Sequence, residues 1–308
     1  MPALSCPICQ SSSVILLNSP VMDYVTSTEF QVWQCGNCQI VFTVPRPDDM
    51  SKYYPEKYRR YNKAVIWLLK LLYELRAKRW SNWFHEPGTA FEMGCGNGIM
   101  LSTLRRNGWQ VAGNERTVSA AAFARQSLNL PVFVGELDAL TQHPFADLVI
   151  LFQVLEHLPY PISTLTAIHR LMKSDGRLVI GVPNIRSWQA KFGGALWFHL
   201  DVPRHLFHFS VPSLEYCLAK TGFKILKVGF QSPEHDPFGW IQTILNRTTG
   251  KQNHLTKVLM GLERSQISTV LHFLLAMFAG IISLPLSLTS WILNRGAIME
   301  VIAEKKDL

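Results

Sequence analysis

Charged residues are scarce in this chain of 308 residues, 17% against 48% apolar. That balance excludes wholesale disorder and leaves enough apolar material for a sizeable core. The opening MPALSCPICQSSSV lacks the basic start and apolar run of a secretory signal, which predicts a reducing, cytosolic setting. No internal repeat or low-complexity tract occurs. The glycine-rich stretch at 94–98 is followed by isoleucine at 99, which breaks G-x-G-x-x-G, and no lysine is present to make a phosphate-binding P-loop. A hydrolase G-x-S-x-G elbow is missing as well. Acidic residues are the minority, 22 against 30 basic, for a net charge of +8. Such an excess suits nucleic acid or an anionic membrane. A base-flipping motif of the N/D-P-P-Y/F type is lacking, VPNI at 182–185 being no substitute, so no nucleic-acid partner is expected.

Of six cysteines, four form two C-x-x-C pairs, Cys6/Cys9 and Cys35/Cys38. In a reducing compartment this spacing predicts two knuckles closing on one structural zinc, since four thiolates complete a tetrahedron and leave no position for water. The surrounding segment has little core of its own, so the metal would supply much of its folding energy. Cys95 and Cys217 have no such spacing and read as small packing residues.

The first fifty residues are short, strand-like and turn-rich, and VPRPDDMSKYYP carries the prolines of a boundary. From Thr89 onward apolar strand-like runs alternate with helical segments, the pattern of βαβ units and a parallel sheet. The strands read as TAFEMG, WQVAGN, PVFVG, ADLVILFQ, RLVIGVP and FKILKVGF, with AIMEVIAEK as the last. Helices are predicted at Ile99–Asn107, Val118–Leu128, Ile162–Met172 and Ser213–Lys220, and Asp175-Gly176 as a turn into a strand. The domain organisation expected is a zinc-ribbon-like module at 1–50, a linker and basic helix at 51–85 and an α/β domain at 86–235. A hydrophobic helical insertion at 236–295 and a final strand at 296–308 complete it.

Gly94-Cys95-Gly96-Asn97-Gly98 joins the first of these strands to a helix, and glycines there let a ligand approach the helix N-terminus. Glu92, two residues earlier, would repel a pyrophosphate and suits a positively charged ligand, while Glu115 ends the next strand, where a carboxylate can accept from both ribose hydroxyls. This E-x-G-x-G-x-G run with its strand-end acid resembles the first two motifs of class I S-adenosylmethionine-dependent methyltransferases. FQVLEHL at 152–158 is similar to the V-L-E-H segment of ubiquinone- and sugar-modifying members. The resemblance implies a Rossmann-like, doubly wound seven-stranded sheet whose last strand is antiparallel. It also implies cofactor-binding positions at Glu92, Gly94, Gly96, Gly98, Glu115 and Gln153, with Glu136 or, second, Asp138 near the adenine amino group.

Transfer to a hydroxyl or a carbon acid also needs a base of near-neutral pKa, and histidine usually supplies it. DVPRHLFHFS holds Asp201, Arg204, His205 and His208, and resembles a segment of a bacterial methyltransferase subgroup with an N-terminal cysteine-rich module. Two readings stand side by side. In one, His205 is the base, Asp201 orients or charges it and Arg204 meets an anionic substrate group; in the other, the cluster ties a loop to the sheet. His157, in LEHL, lines the pocket edge or touches the neighbouring helix.

The remaining signals concern surfaces. Residues 57–80 hold eight basic residues and one acid, Glu74, with Val65, Leu68, Leu69, Leu72 and Leu75 at helical spacing. They form either the helix that packs before the first strand or a membrane-facing basic surface. Residues 267–293 carry no charge apart from His272, and the strand that follows must return to the sheet. This favours a re-entrant or in-plane anchor over a single span, with a buried helical pair as the alternative. The expected protein is a cytoplasmic or membrane-peripheral enzyme at the inner face of the membrane. It would methylate a small or lipid-linked acceptor, such as a sugar intermediate of envelope polysaccharide. A zinc-ribbon binding protein that senses the cofactor without turnover is the other reading.

Overall fold

The computed structural model describes residues 4–54, 63–135, 143–263 and 268–306. Seven strands build the central sheet: β4 (Thr89–Met93), β5 (Gln110–Glu115), β6 (Val132–Val134), β7 (Ala146–Phe152), β8 (Met172–Pro183), β10 (Phe223–Gly229) and β11 (Ile298–Lys305). Their order is β10-β11-β8-β7-β4-β5-β6. Neighbours from β8 through β6 run parallel, and β11 is antiparallel to both β8 and β10. The Rossmann-like sheet with an antiparallel last strand is therefore as expected.

The strands are nearly continuous apolar runs because both faces are covered. Ala90, Leu148, Ile150 and Val179 look one way, against Ala77 and Trp80 of α1 (Lys63–Ser81) and Met100 and Leu104 of α2 (Ile99–Arg106). Phe91, Val149, Leu151 and Ile180 look the other way, against Leu165 and Ile168 of α4 (Pro161–Leu171) and Leu214 and Leu218 of α6 (Val211–Lys220). Between them in sequence, α3 (Val118–Leu128) packs Ala121 and Ala124 against Leu130 and Val132. From Lys63 onward the basic segment is a sheet-packing helix, with Arg76 buried against Glu234 and Glu300. Trp67, Leu68, Leu71 and Leu75 of that helix are exposed.

The chain runs outward from β4 to β5 and β6, then crosses to β7 on the other side. The switch point lies between the carboxyl ends of β4 and β7, the crevice where open α/β sheets take their ligands.

A second, antiparallel sheet has the order β1-β2-β3-β9. Its first three strands are β1 (Val14–Met22), β2 (Glu29–Cys35) and β3 (Val41–Val44). The fourth, β9 (Phe207–His208), comes from the loop that follows β8, pairing Val41 with His208 and Phe42 with Phe207. This sheet packs Val21, Phe30 and Val32 against Trp197, Leu200 and Val202, just past α5 (Trp188–Gly193).

One local expectation is corrected. Asp175-Gly176 is no turn but lies inside β8, where pairing with β7 jumps from Ala146↔Met172 to Leu148↔Arg177, a bulge. The insertion before β11 contains α7 (Asp236–Thr249), α8 (His254–Leu259) and α9 (Ser268–Ile292). Here α9 runs unbroken through Pro285. Its inner face is small, with Ala279, Ser283, Ser287 and Ser290 buried, and its outer face bears Met277, Phe278, Ile281 and Leu284, each more than half exposed.

Candidate functional site

The glycine turn after β4 has the backbone that the sequence requires. Gly94, Gly96 and Gly98 all have positive φ, at 65°, 52° and 73°, a region that side chains disfavour. A Cβ on Gly94 would stand 2.7 Å from Val154 Cγ2, and one on Gly98 would stand 2.5 Å from Leu130 Cδ1. A Cβ on Gly96 would meet nothing within 4 Å. The outer two glycines are thus needed for packing, and the middle one borders open space.

Glu115 closes this turn from the neighbouring strand. Its carboxylate accepts from the backbone N–H of Gly96 at 2.9 Å and of Thr117 at 2.7 Å. Glu92 lies buried beneath, and burial, reinforced by the Glu115 charge, pushes its carboxyl up to about 8. Two acids at one turn make a site that favours a cation. Asn114, which the sequence reading passed over, joins both sides: its Oδ1 accepts from Gly94 N–H at 3.3 Å and its Nδ2 donates to Gly135 O at 3.0 Å. Its signal was its place, next to Glu115 at the end of a strand.

Across the crevice, Gln153 follows β7 with a positive φ of 57° and donates its backbone N–H to Gly181 O at 2.8 Å. Its side-chain Nε2 and the Glu92 Oε2 are buried without a hydrogen-bond partner among the described residues. An orphan acceptor in β4 and an orphan donor at the end of the neighbouring β7 fit a ligand that is at once polar and cationic, as the methionyl end of S-adenosylmethionine is. Glu136 and Asp138 lie outside the described residues.

The loop after β7 makes a short 3-10 turn at Leu155–His157 and meets the second sheet. Leu206 N–H donates to Glu156 O at 2.9 Å. His157 Nδ1–H donates to Arg204 O at 2.8 Å, and His205 Nδ1–H to His199 O at 2.8 Å. The His157 and His205 rings meet edge to face with centroids 4.6 Å apart.

Two roles expected of this cluster change. Arg204 does not face a substrate anion: its buried guanidinium bonds Asp201 Oδ1 at 2.7 Å, Asp23 Oδ1 at 2.8 Å and the Tyr53 carbonyl at 2.8 Å. It also lies over the Tyr24 ring. His208 is buried in β9 beside Thr43 Oγ1, and burial depresses its pKa to about 3, so it stays neutral and is no base at ordinary pH. Asp201 reaches His205 at Nε2, 3.9 Å from its Oδ2, since Nδ1 serves His199 O.

Cys6, Cys9, Cys35 and Cys38 converge with all four sulfurs within 4.8 Å of one another. Cys6 and Cys38 are 3.6 Å apart, Cys9 and Cys35 3.5 Å. Zinc–sulfur bonds of about 2.3 Å make tetrahedral edges of about 3.8 Å, so this donor set fits one zinc ion. Backbone N–H groups of Ile8 and Asn37 point at the Cys6 and Cys35 sulfurs, as in knuckle turns.

A family model described as a methyltransferase domain matches residues 59–228. The chain is 30% identical over 122 residues to the ubiquinone biosynthesis O-methyltransferase of Yersinia enterocolitica, covering 37% of this chain and 50% of that protein. It is 30% identical over 116 residues to the protein of the same name from Pseudomonas paraeruginosa, covering 33% and 50%. The chain thus spans about half the length of these curated relatives. Among solved structures, a SAM-dependent methyltransferase from Archaeoglobus fulgidus is similar at 20% identity and a TM-score of 0.49, over 77% of this chain and 94% of that one.

Proposed function

The chain belongs to the methyltransferase-domain family, and from that premise we propose that it transfers the methyl group of S-adenosylmethionine to an oxygen of a small or lipid-linked acceptor. The observation that carries this reading is the turn of Gly94, Gly96 and Gly98 clasped by Glu115, with Glu92 Oε2 and Gln153 Nε2 buried without a hydrogen-bond partner among the described residues. Bound there, S-adenosylmethionine supplies an electrophilic methyl on a sulfonium. Glu92 favours that positive charge, Gln153 donates to the ligand, and the open side of Gly96 admits it. Protein catalysis of an in-line displacement is mostly positioning, and the loop that carries Gln153 also carries His157, next to His205. We assign the acceptor to that histidine pair.

Relatives named O-methyltransferases support oxygen as the atom methylated. Support for a lipid-linked acceptor and a membrane surface comes from the exposed apolar faces of α1 and α9. The four cysteines would hold one structural zinc and stiffen the sheet above the acceptor.

The test is direct. Purified protein is incubated with methyl-labelled S-adenosylmethionine and a panel of phenolic, isoprenoid-linked and sugar acceptors. S-Adenosylhomocysteine and a labelled ether should form together with one acceptor class. Calorimetry should show tight S-adenosylhomocysteine binding that weakens by about 1–3 kcal/mol in Glu115→Ala, as expected for lost charged hydrogen bonds. A protein that binds neither compound would overturn the assignment.

A further inference from the structure

Beyond the end of β10 the chain continues as Ser232-Pro233-Glu234-His235 into α7. Register brings this segment to the level of the methyl-donor turn. Met93 pairs with Leu151, and the next residue of that strand, Phe152, pairs with Gly181. Gly181 in turn pairs with Glu300, and Glu300 with Gly229. The glycine turn and the Glu234–His235 segment therefore leave the sheet at the same end, where open α/β sheets take their ligands. The His235 ring lies 6.1 Å, centroid to centroid, from that of Phe152, the residue before Gln153. It lies 6.5 Å from the ring of His199, whose carbonyl holds His205. Ring contacts thus join His235 both to the cofactor wall and to the loop of the histidine pair.

A general base needs a free lone pair, a group behind it to orient it, and room to meet its substrate. His235 has all three. Its Nδ1 lies 2.9 Å from Ser232 Oγ and 3.4 Å from Glu234 Oε1. Burial alone would raise the Glu234 carboxyl, but His235 and the paired Arg76 hold it well below the usual carboxylate range. An ionised carboxylate only accepts, so it keeps a proton on Nδ1 and leaves the lone pair on Nε2. Among the described residues Nε2 makes no hydrogen bond. The same carboxylate would stabilise the imidazolium formed when the ring takes up a proton. Glu234 is itself fixed from the far side, since Arg76 also reaches Glu300 and lies over the Phe152 ring at 4.5 Å. Room distinguishes His235 from the base expected in the sequence: its side chain is 26% exposed, whereas His205 is 1% exposed.

Resting on the methyltransferase reading, we infer that His235 is the base that takes the proton of the acceptor's hydroxyl, with Glu234 as its positioning residue. Nε2 removes the proton, and the electron pair of the O–H bond stays on oxygen. That oxygen forms the new bond to the methyl carbon while the carbon–sulfur bond breaks and its pair returns to sulfur. The imidazolium then gives its proton to solvent. His157 and His205 remain the wall against which the acceptor rests, and the role expected of His205 passes to the segment after β10.

The zinc-loaded full chain is treated with diethyl pyrocarbonate, which acylates accessible neutral imidazoles, and each histidine is followed by peptide mass spectrometry. His235 should react faster than His205 and His208, and should be shielded when S-adenosylhomocysteine is bound. Turnover of the labelled panel acceptor should fall at least about a hundredfold in His235→Gln, and less in Glu234→Gln, with S-adenosylhomocysteine affinity kept in both. The wild-type rate should drop at acid pH, where a protonated ring cannot accept. The residual rate of His235→Gln should lose that drop and climb with pH as the acceptor ionises unaided. Acylation of His235 that ignores bound S-adenosylhomocysteine would overturn the base, and this result decides even where no panel acceptor is consumed. Undiminished turnover in His235→Gln would overturn it too and leave the methyltransferase reading intact. A wild type that binds no S-adenosylhomocysteine would sink that reading itself.

Discussion

Arg204 Nη2 and Asp23 Oδ1 meet at 2.8 Å with both side chains entirely buried. The pair joins the turn after β1 to the loop that bears His205, so one ion pair fixes the second sheet over the candidate site. Asp23 is itself held by Thr26, whose N–H and Oγ1 both donate to its Oδ2 at 2.7 Å.

Removing Asp23 leaves a buried guanidinium donor without its partner, while Asp201 still balances the charge. Asp23→Ala is expected to cost about 1–3 kcal/mol of stability, read from urea unfolding. A loss below about 1 kcal/mol, the scale of a surface pair, would mean that the pair does not fasten the two layers together.

Ligand binding should release a proton through Glu92. The carboxyl is raised from its ordinary value to about 8 by burial, then by Glu115. In the ligand-free protein this favours the protonated form, so the stability contribution is fully present below the ordinary carboxylate value and is lost as pH rises through about 8. A cationic ligand draws the opposite, ionised form, so its affinity should rise between pH 6 and 8 and level off above. Calorimetry in buffers of different ionisation enthalpy should detect most of a proton released at pH 7 by the wild type and none by Glu92→Gln. Equal proton release in both would assign the linkage to another group.

Metal analysis of purified protein should find one zinc held by Cys6, Cys9, Cys35 and Cys38. Cys35→Ser should lose it and, because the metal supplies folding energy, should melt at a lower temperature. Retention of full zinc stoichiometry in Cys35→Ser would place the ion elsewhere.

The outer face of α9 is expected to lie in the plane of a membrane. Phe278 and Ile281 are 63% and 73% exposed, and each would contribute roughly 1.5–3 kcal/mol when buried in lipid. The protein should float with anionic liposomes at low salt and less so at high salt. Phe278→Asp combined with Ile281→Asp should leave it at the bottom of the gradient. Flotation undiminished in that double variant would exclude this face as the contact.

Much of the site was legible because its determinants are local. The spacing of Gly94, Gly96 and Gly98 after an apolar strand can be read within ten residues, as can Glu115 at the end of the next. The parallel α/β class followed from alternation, whereas the antiparallel place of AIMEVIAEK came only with the methyltransferase resemblance. What escaped depends on distant partners. Arg204 resembles a ligand-binding arginine until Asp23 is brought beside it, and His208 resembles a base until β3 covers it. The Gly176 bulge looked like a turn because Asp-Gly has the same local chemistry in both settings. Nothing near α9 announced that its serines would face inward and its large apolar residues outward, since periodicity marks two faces without saying which is covered.

The two-residue strand β9 also sets the order in which this protein can finish itself. A ribosome that has made only β1, β2 and β3 has made a sheet whose β3 side is still bare, since the partners Phe207 and His208 are not yet synthesised. Until then that row of backbone donors and acceptors can pair with another nascent chain. An expression fragment ending near residue 50 would keep that bare edge permanently, and so would invite self-association whatever its zinc content.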